Sequence, residues 1–348
     1  MTCPPVRLMA LMLAIALDSP AALASSSMVA RFDAAVANLP QEAGGAPEDV
    51  TRAKRSAADF SVDRRLNIRL DFPDGVQGTM YGGLLHGEAA VFTRAGDYLD
   101  ATFMRNGDTD VMSFDAPESG RLPAEVALPV AEPLALRARR SVGPGHFEDK
   151  NAYTLHFHFL KHDDLLDRSA RDLHARYVAW WLADMARILP VEPLHASYAE
   201  RMPWLTSMAY GDKDSLEAFE RTLKVLDEHY GFDMERTYKH KFILLTAQRP
   251  MPGTTGVAFE GGNEAIASVS GRMRIVAHEI GHMLGATHVD AETRGWWGCE
   301  TNMMATSSRA RSDCQEYSAA NERAIRSYMR HGPNTQRPRL MVDAPAAE

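Results

Sequence analysis

Cysteine is almost missing from this chain. Of 348 residues three are cysteine, and none lies between Cys3 and Cys299. No thiol in that long stretch can hold a metal or close a disulfide. An excess of positive charge is missing too, since the formal net charge is −8. Nucleic acid and anionic membrane surfaces both want a basic partner, so neither is expected. No internal repeat is visible. The apolar run from Leu8 to Leu17 is ten residues long, whereas a membrane-spanning helix needs about 20.

That short run, preceded by Arg7 and followed by Ala22-Leu23-Ala24, has the layout of a secretion signal with Ser25 as first mature residue. Cys3 lies ahead of the run, so it is not a lipid-modified cysteine at the cleavage site. A secreted, periplasmic or extracellular chain without a membrane span is expected. Signal removal leaves Cys299 and Cys314, an even pair that predicts one disulfide. Its loop would contribute on the order of 3 kcal/mol in the chain-entropy model.

Hydrophobic residues make up 45% of the chain, ample for a core, and the length predicts two domains. Ser25 to about Phe60 reads as weakly helical and loose, broken by Pro40, Gly44 and Gly45. From Arg65 to Phe114 short strands follow one another. Leu66, Ile68 and Leu70 alternate with polar residues. Phe72-Pro73-Asp74-Gly75 makes a turn, Ala89–Phe92 and Leu99–Phe103 are further strands, and Arg105-Asn106-Gly107-Asp108 is a hairpin turn. A Pro/Ala/Gly-rich linker spans Ala116 to Asp149, with a basic cluster at Arg137-Ala138-Arg139-Arg140-Ser141.

Beyond the linker a strand is predicted over Tyr153–Leu160 and a long helix over Ser169–Leu189, with a second helix opening at Ser215. Strands over Phe242–Thr246, Gly256–Phe259 and Ala265–Val269 complete a mixed sheet, after which Ser270 or Gly271 caps another helix. His156 and His158 share a strand face, as His162 does not. No carboxylate or cysteine shares their spacing, so a partly exposed strand face is expected there, not a second metal site. The tail after His331, with Pro333, Pro338 and Pro345, is expected to be disordered.

One stretch carries chemistry directly: His278-Glu279-Ile280-Gly281-His282-Met283-Leu284-Gly285-Ala286-Thr287-His288. Histidines four apart lie on one helix face, one turn along from each other, so both rings reach one ion. Glu279 sits beside the first of them, placed to act as general base on a water. Gly285 can leave the helix in a left-handed conformation and turn the chain back, bringing in His288 as a third ligand. Three protein ligands with an open fourth position mark a catalytic zinc site.

The extended pattern resembles the metzincin metalloproteases. That resemblance implies a methionine-containing turn beneath the zinc. Met303 and Met304 stand fifteen and sixteen residues after His288; Met304 is the preferred turn residue, because the family usually sets an apolar residue just before its methionine. Astacins and serralysins carry a tyrosine two residues after that methionine, where this chain has Thr306 (Ala305, counted from Met303). The reprolysin (adamalysin) branch is the better match. Lys239–Thr246 resembles its strand ending in Leu-Leu-Thr, Gly253–Phe259 its Gly-Leu-Ala-Tyr edge strand, and Tyr317-Ser318 its Phe-Ser before a final helix. Two departures stand out: Val289 follows the third histidine where the branch has aspartate, and Cys299 lies further upstream of the turn than the branch's cysteine.

The resemblance implies an α+β fold of zincin type, with a twisted mixed sheet, an edge strand, an active-site helix, a Met-turn and a C-terminal helix. Between the signal at 1–24 and the tail at 333–348, both read from the residues, it implies a small β-rich propeptide-like or accessory unit with linker at 25–145 and a catalytic domain at 146–332. The reprolysin propeptide commonly caps zinc with a cysteine; this chain has none there, so cysteine-based latency is excluded. A separable N-terminal unit released by a cut near Arg140 is the expectation. By the same resemblance an extended peptide substrate pairs with Gly256, Val257, Ala258 and Phe259. The activity implied is that of a secreted, monomeric zinc endopeptidase with Glu279 as general base and acid. A zinc-holding binding module and a deacylase or amidase are the other classes. Intact Glu279 argues against the module, since an inactive relative would most cheaply lose that residue. Trp296 and Trp297 could line the cleft or cover the core.

Overall fold

A computed structural model of the chain describes residues 20–39, 60–105, 108–115, 154–230, 237–295, 298–305, 311–333 and 339–342. The apolar run at 8–17, the linker with its basic cluster, Trp296, Trp297 and Thr306 lie outside them. Among the described residues no helix is long and apolar enough to cross a membrane.

The described residues open with helix α1 (Pro20–Ala37), which runs on through the expected cleavage point after Ala24. Met28, Val29 and Phe32, one helical turn of apolar positions, pack on the strands that follow. Those strands are β1 (Phe60–Asp71), β2 (Gln77–Leu85), β3 (Glu88–Ala95), β4 (Tyr98–Arg105) and β5 (Asp108–Asp115). They form an antiparallel meander. The turn at Phe72–Gly75 is present: the Gly75 amide donates to the Phe72 carbonyl at 3.0 Å, and Gly75 has φ +78°. His86 and Gly87 both have positive φ, as a two-residue hairpin of primed type requires.

The second half contains β6 (Leu155–Lys161), α2 (Ala170–Leu173), a π-helical segment His174–Val178, α3 (Ala179–Ile188) and β7 (Leu194–Glu200). Then come α4 (Ser215–Tyr230), β8 (His240–Thr246), β9 (Gly256–Glu260), β10 (Glu264–Ser268), α5 (Ile275–Met283), α6 (Ala319–His331) and β11 (Arg339–Val342). The long helix predicted from Ser169 is real, and the Ser169 side chain caps it by accepting from the Asp172 amide. It carries one π turn in its middle, an inserted residue that the 3.6-residue pattern does not reveal.

All strands join one mixed sheet in the order β11-β9-β10-β8-β6-β7-β1-β2-β3-β4-β5. Fold class is therefore α+β with one large sheet. β7 pairs in parallel with both β6 and β1, so the meander and the strands of the second half share this one sheet. Leu66, Ile68, Leu70 and Phe72 of the N-terminal half pack in one core with Phe157, Phe159, Trp181, Val276 and Ile280. Each such fully buried side chain stabilises by about 1.5–3 kcal/mol. On the opposite face Leu216, Phe219 and Leu223 of α4 cover Phe242, Leu244 and Ile266.

Polar contacts close the junction between the halves. Arg171 grips buried Asp100 with two bonds of 2.7 and 2.8 Å and lies 3.9 Å over the Tyr98 ring. The Thr102 hydroxyl donates to the Ala175 carbonyl at 2.8 Å. Buried His174 bonds Thr93 Oγ1 at 2.9 Å and Tyr198 Oη at 2.6 Å.

Burial pushes the His174 imidazole down to about 3. His158 is likewise pushed down to about 3, by burial and then by neighbouring His240, His156 and His195. Both folded values lie below the unfolded value of about 6.5. The unfolded chain therefore takes up protons that the folded chain refuses, and stability falls as pH drops from about 6.5 toward 3. Asp184, raised by burial to about 6, works against this over part of the range. His174→Phe is expected to flatten the dependence of stability on pH, at a cost of about 1–3 kcal/mol near pH 7 for the two hydroxyls left unpaired. Denaturant unfolding at several pH values checks this; an unchanged slope would count against His174.

Candidate metal centre

The helix that carries the histidine motif is α5. Val276, Ala277, Ile280 and Met283 bury its core side, and the helix is buried along its whole length. Its start differs from the expectation of a cap at Ser270 or Gly271. Arg274 occupies the N-cap position with no side-chain cap bond. Its guanidinium instead binds Glu300 at 3.1 Å and Asp313 at 2.8 Å. The helix ends as Gly285 predicts. Gly285 has φ +79°. The Ala286 amide donates to Gly281 at 2.9 Å and the Gly285 amide to His282 at 3.0 Å, the double bond pattern of a Schellman cap.

That turn brings His288 back to the helix. Its path is held by Asn321 at the start of α6, whose side chain accepts from the Thr287 amide at 2.8 Å and donates to the Thr287 carbonyl at 3.1 Å. The three Nε2 atoms then converge: His278 to His288 is 2.9 Å, His282 to His288 3.0 Å and His278 to His282 3.2 Å. Among the described residues this is the one cluster of three or more His, Cys, Asp or Glu whose ligand atoms meet. His156 and His158 instead join His195 and His240 in pairwise contacts across the sheet.

The donor set fits a metal ion. The His278 Nδ1 donates to the Asn302 carbonyl at 2.7 Å, which leaves its Nε2 as a lone pair pointing inward. The other two Nε2 atoms lie within 3.2 Å of that nitrogen, an arrangement of ring nitrogens that suits a cation at its centre. A cation about 2.0–2.1 Å from each nitrogen in a tetrahedral arrangement would hold them about 3.3 Å apart, close to the spacing present.

Beneath the helix lies Met303, fully buried. A Cβ added to Gly281 would come within 2.3 Å of the Met303 sulfur and 2.9 Å of the Tyr317 ring, so Gly281 has to be glycine for the methionine to fit below the histidines. Met304, preferred from the family pattern, is only half-buried. Its amide donates to Thr301 at 3.1 Å in a tight turn. Of the two methionines it is Met303, and not the preferred Met304, that lies against Gly281. The disulfide Cys299–Cys314 is formed and brackets this loop.

Glu279 is buried on the side of α5 that faces the sheet edge. Its carboxylate fills the space where Gly256 of β9 has no side chain: a Cβ there would lie 2.2 Å from Oε1. Gly256→Ala should therefore displace the carboxylate; with Glu279 read as a general base, turnover should fall about ten- to hundredfold with metal content unchanged. Turnover equal to wild type would show that Glu279 does not need its present position.

Two residues unread in the sequence complete the frame. Asn321 is one. The other is Lys241, fully buried in β8, whose ammonium donates to the Gly262 carbonyl at 2.6 Å, the Met283 carbonyl at 3.0 Å and Tyr328 Oη at 2.7 Å. It ties the end of α5 to the β9–β10 turn. Burial holds its pKa well below the usual lysine range, with Glu264 acting the other way. Neither residue belongs to a periodic pattern, so only the fold reveals them.

No protein-family model matches the chain, and no curated protein matches it. Its structure is similar to the crystal structure of metalloproteinase-II from Bacteroides fragilis, at TM-score 0.47 and 17% identity, over 77% of this chain and 86% of that one.

Proposed function

We propose that this chain is a zinc-dependent endopeptidase of metzincin type, exported from the cell. The observation that carries the reading is the convergence of His278, His282 and His288 next to buried Glu279, at the edge of a sheet. Zinc suits three imidazoles with an open fourth position, and when bound it polarises a carbonyl and lowers the pKa of water toward about 7. Glu279 then takes a proton from the attacking water and delivers it to the leaving amine. Met303 supports the histidines from below, through Gly281. The disulfide is in keeping with an oxidising compartment. The likeness to the reprolysin branch rests on the sequence patterns alone.

In this reading an extended substrate lies along β9, from Gly256 to Phe259. The N-terminal unit is a permanent part of the enzyme and not a released one. What supports this is the hydrogen bonding of β1 to β7 and the core that both halves share.

Metal analysis combined with a peptide-library cleavage assay tests the reading. About one zinc per chain is expected, lost in His282→Ala, together with cleavage that depends on it. A purified protein that holds no zinc and matches His282→Ala in every respect would sink the proposal. Zinc without cleavage of any peptide would point to a binding module.

A further inference from the structure

The C-terminal strand lies where a substrate would lie. β11 pairs antiparallel with β9 in the register Arg339↔Glu260, Leu340↔Phe259, Met341↔Ala258 and Val342↔Val257. On its other side β9 is bonded to β10, so β11 takes up the outer edge that a peptide would need. Opposed residues of an antiparallel pair project to the same face. Met341 therefore stands on the face of Ala258 and Gly256, the face of Glu279. The paired stretch ends at Val342 opposite Val257, one residue before Gly256, against which the Glu279 carboxylate rests.

From this we infer that the C-terminal segment is a built-in competitive inhibitor, which must leave β9 before a peptide can bind. The inference rests on the reading of β9 as the substrate strand. The hold is weak by construction. Four residue pairs supply few hydrogen bonds, and Leu340 remains 38% exposed. Affinity comes mainly from the tether. A short connection from the end of α6 at His331 keeps the strand at an effective concentration on the order of mM. A four-residue strand with an intrinsic Kd of about 0.1 mM would then raise the apparent KM about tenfold. Nothing is cut or modified in this step: one set of backbone hydrogen bonds replaces another.

The test compares three zinc-loaded proteins on a short fluorogenic peptide: the full chain, a chain ending at Pro333, and a full chain carrying Leu340→Pro with Met341→Pro. Successive N–H groups of a strand alternate in direction, so one of the two prolines removes a donor to β9. Zinc content and circular dichroism confirm that each is folded. Both variants should show about a tenfold lower KM with kcat unchanged. Added synthetic peptide 334–348 should raise the KM of the shortened chain again, as a competitive inhibitor. Equal KM in all three would make β11 a plain structural strand and overturn the inference, while leaving the endopeptidase reading intact. Should the shortened chain fail to fold, the proline pair decides alone. Unfolding of both variants would equally overturn the inference, since a strand the fold cannot lose is not an inhibitor. Absence of Glu279-dependent cleavage in all three would overturn the endopeptidase reading and the inference together.

Discussion

Glu279→Gln is expected to lower kcat by about two to four orders of magnitude, the usual contribution of a positioned general base. The substitution changes one atom type and almost no volume. The amide still fits the space that Gly256 leaves open, and the three histidine nitrogens are untouched, so metal content and fold should match wild type. The loss then falls on proton transfer alone. The carboxylate accepts a proton from water and returns it; the amide can do neither at neutral pH. KM should change little, because Glu279 holds no part of the bound peptide. Steady-state kinetics with parallel metal analysis measures both quantities. A variant within about tenfold of wild-type turnover would remove Glu279 from the mechanism.

Arg274→Met should cost about 3–5 kcal/mol of folding stability. Arg274 and Glu300 are both 3% exposed, and the guanidinium reaches Glu300 through both terminal nitrogens at 3.1 Å. It also binds Asp313 at 2.8 Å and donates to the Met304 carbonyl at 3.3 Å. Removing it deprives a buried carboxylate of its main cation, and Arg272, 3.9 Å away, is a poor substitute. The same contacts fasten the start of α5 to the loop that contains Met303, between the two bonded cysteines. Zinc affinity should therefore fall along with stability. Combining Arg274→Met with Glu300→Gln should recover part of the loss, because the stranded charge is gone and the two sites are coupled. Urea unfolding of the single and double variants measures this. A loss below about 1 kcal/mol in the single variant would mean that water already screens the pair.

The histidine cluster is legible in the sequence because it is local. Helix period, a left-handed glycine and ligand chemistry all act within the eleven residues from His278 to His288. The disulfide was legible because only two cysteines remained to pair. What escaped was long-range or aperiodic. β7 alternates Leu194, Ala196 and Tyr198 with His195, Ser197 and Ala199. Two alanines in seven residues leave that alternation faint, and nothing local says that β1 is its neighbour. β11 is four residues between prolines, too short for any pattern, and exists as a strand only because β9 offers a free edge. The order of the two methionines depends on how the Thr301–Met304 turn is wound, which the identities of the residues do not encode. Asn302 accepts from His278 through its backbone carbonyl and Asn321 holds Thr287 with two side-chain bonds, and such bonds leave no trace in spacing.

The parallel pairing of β1 with β7 also imposes a timetable on synthesis. Ile68 meets Leu194, a partner that leaves the ribosome on the order of ten seconds later at ordinary elongation rates. During that interval the β1 edge of the meander is open as well as the β5 edge, and open edges pair with whatever strand comes by. Arg64, Arg65 and Arg69 lie along the β1 edge, and a row of charge discourages such pairing. Completion of the N-terminal sheet thus waits on the second half of the chain, and a nascent chain stalled before Leu194 exposes an unfinished template to its neighbours.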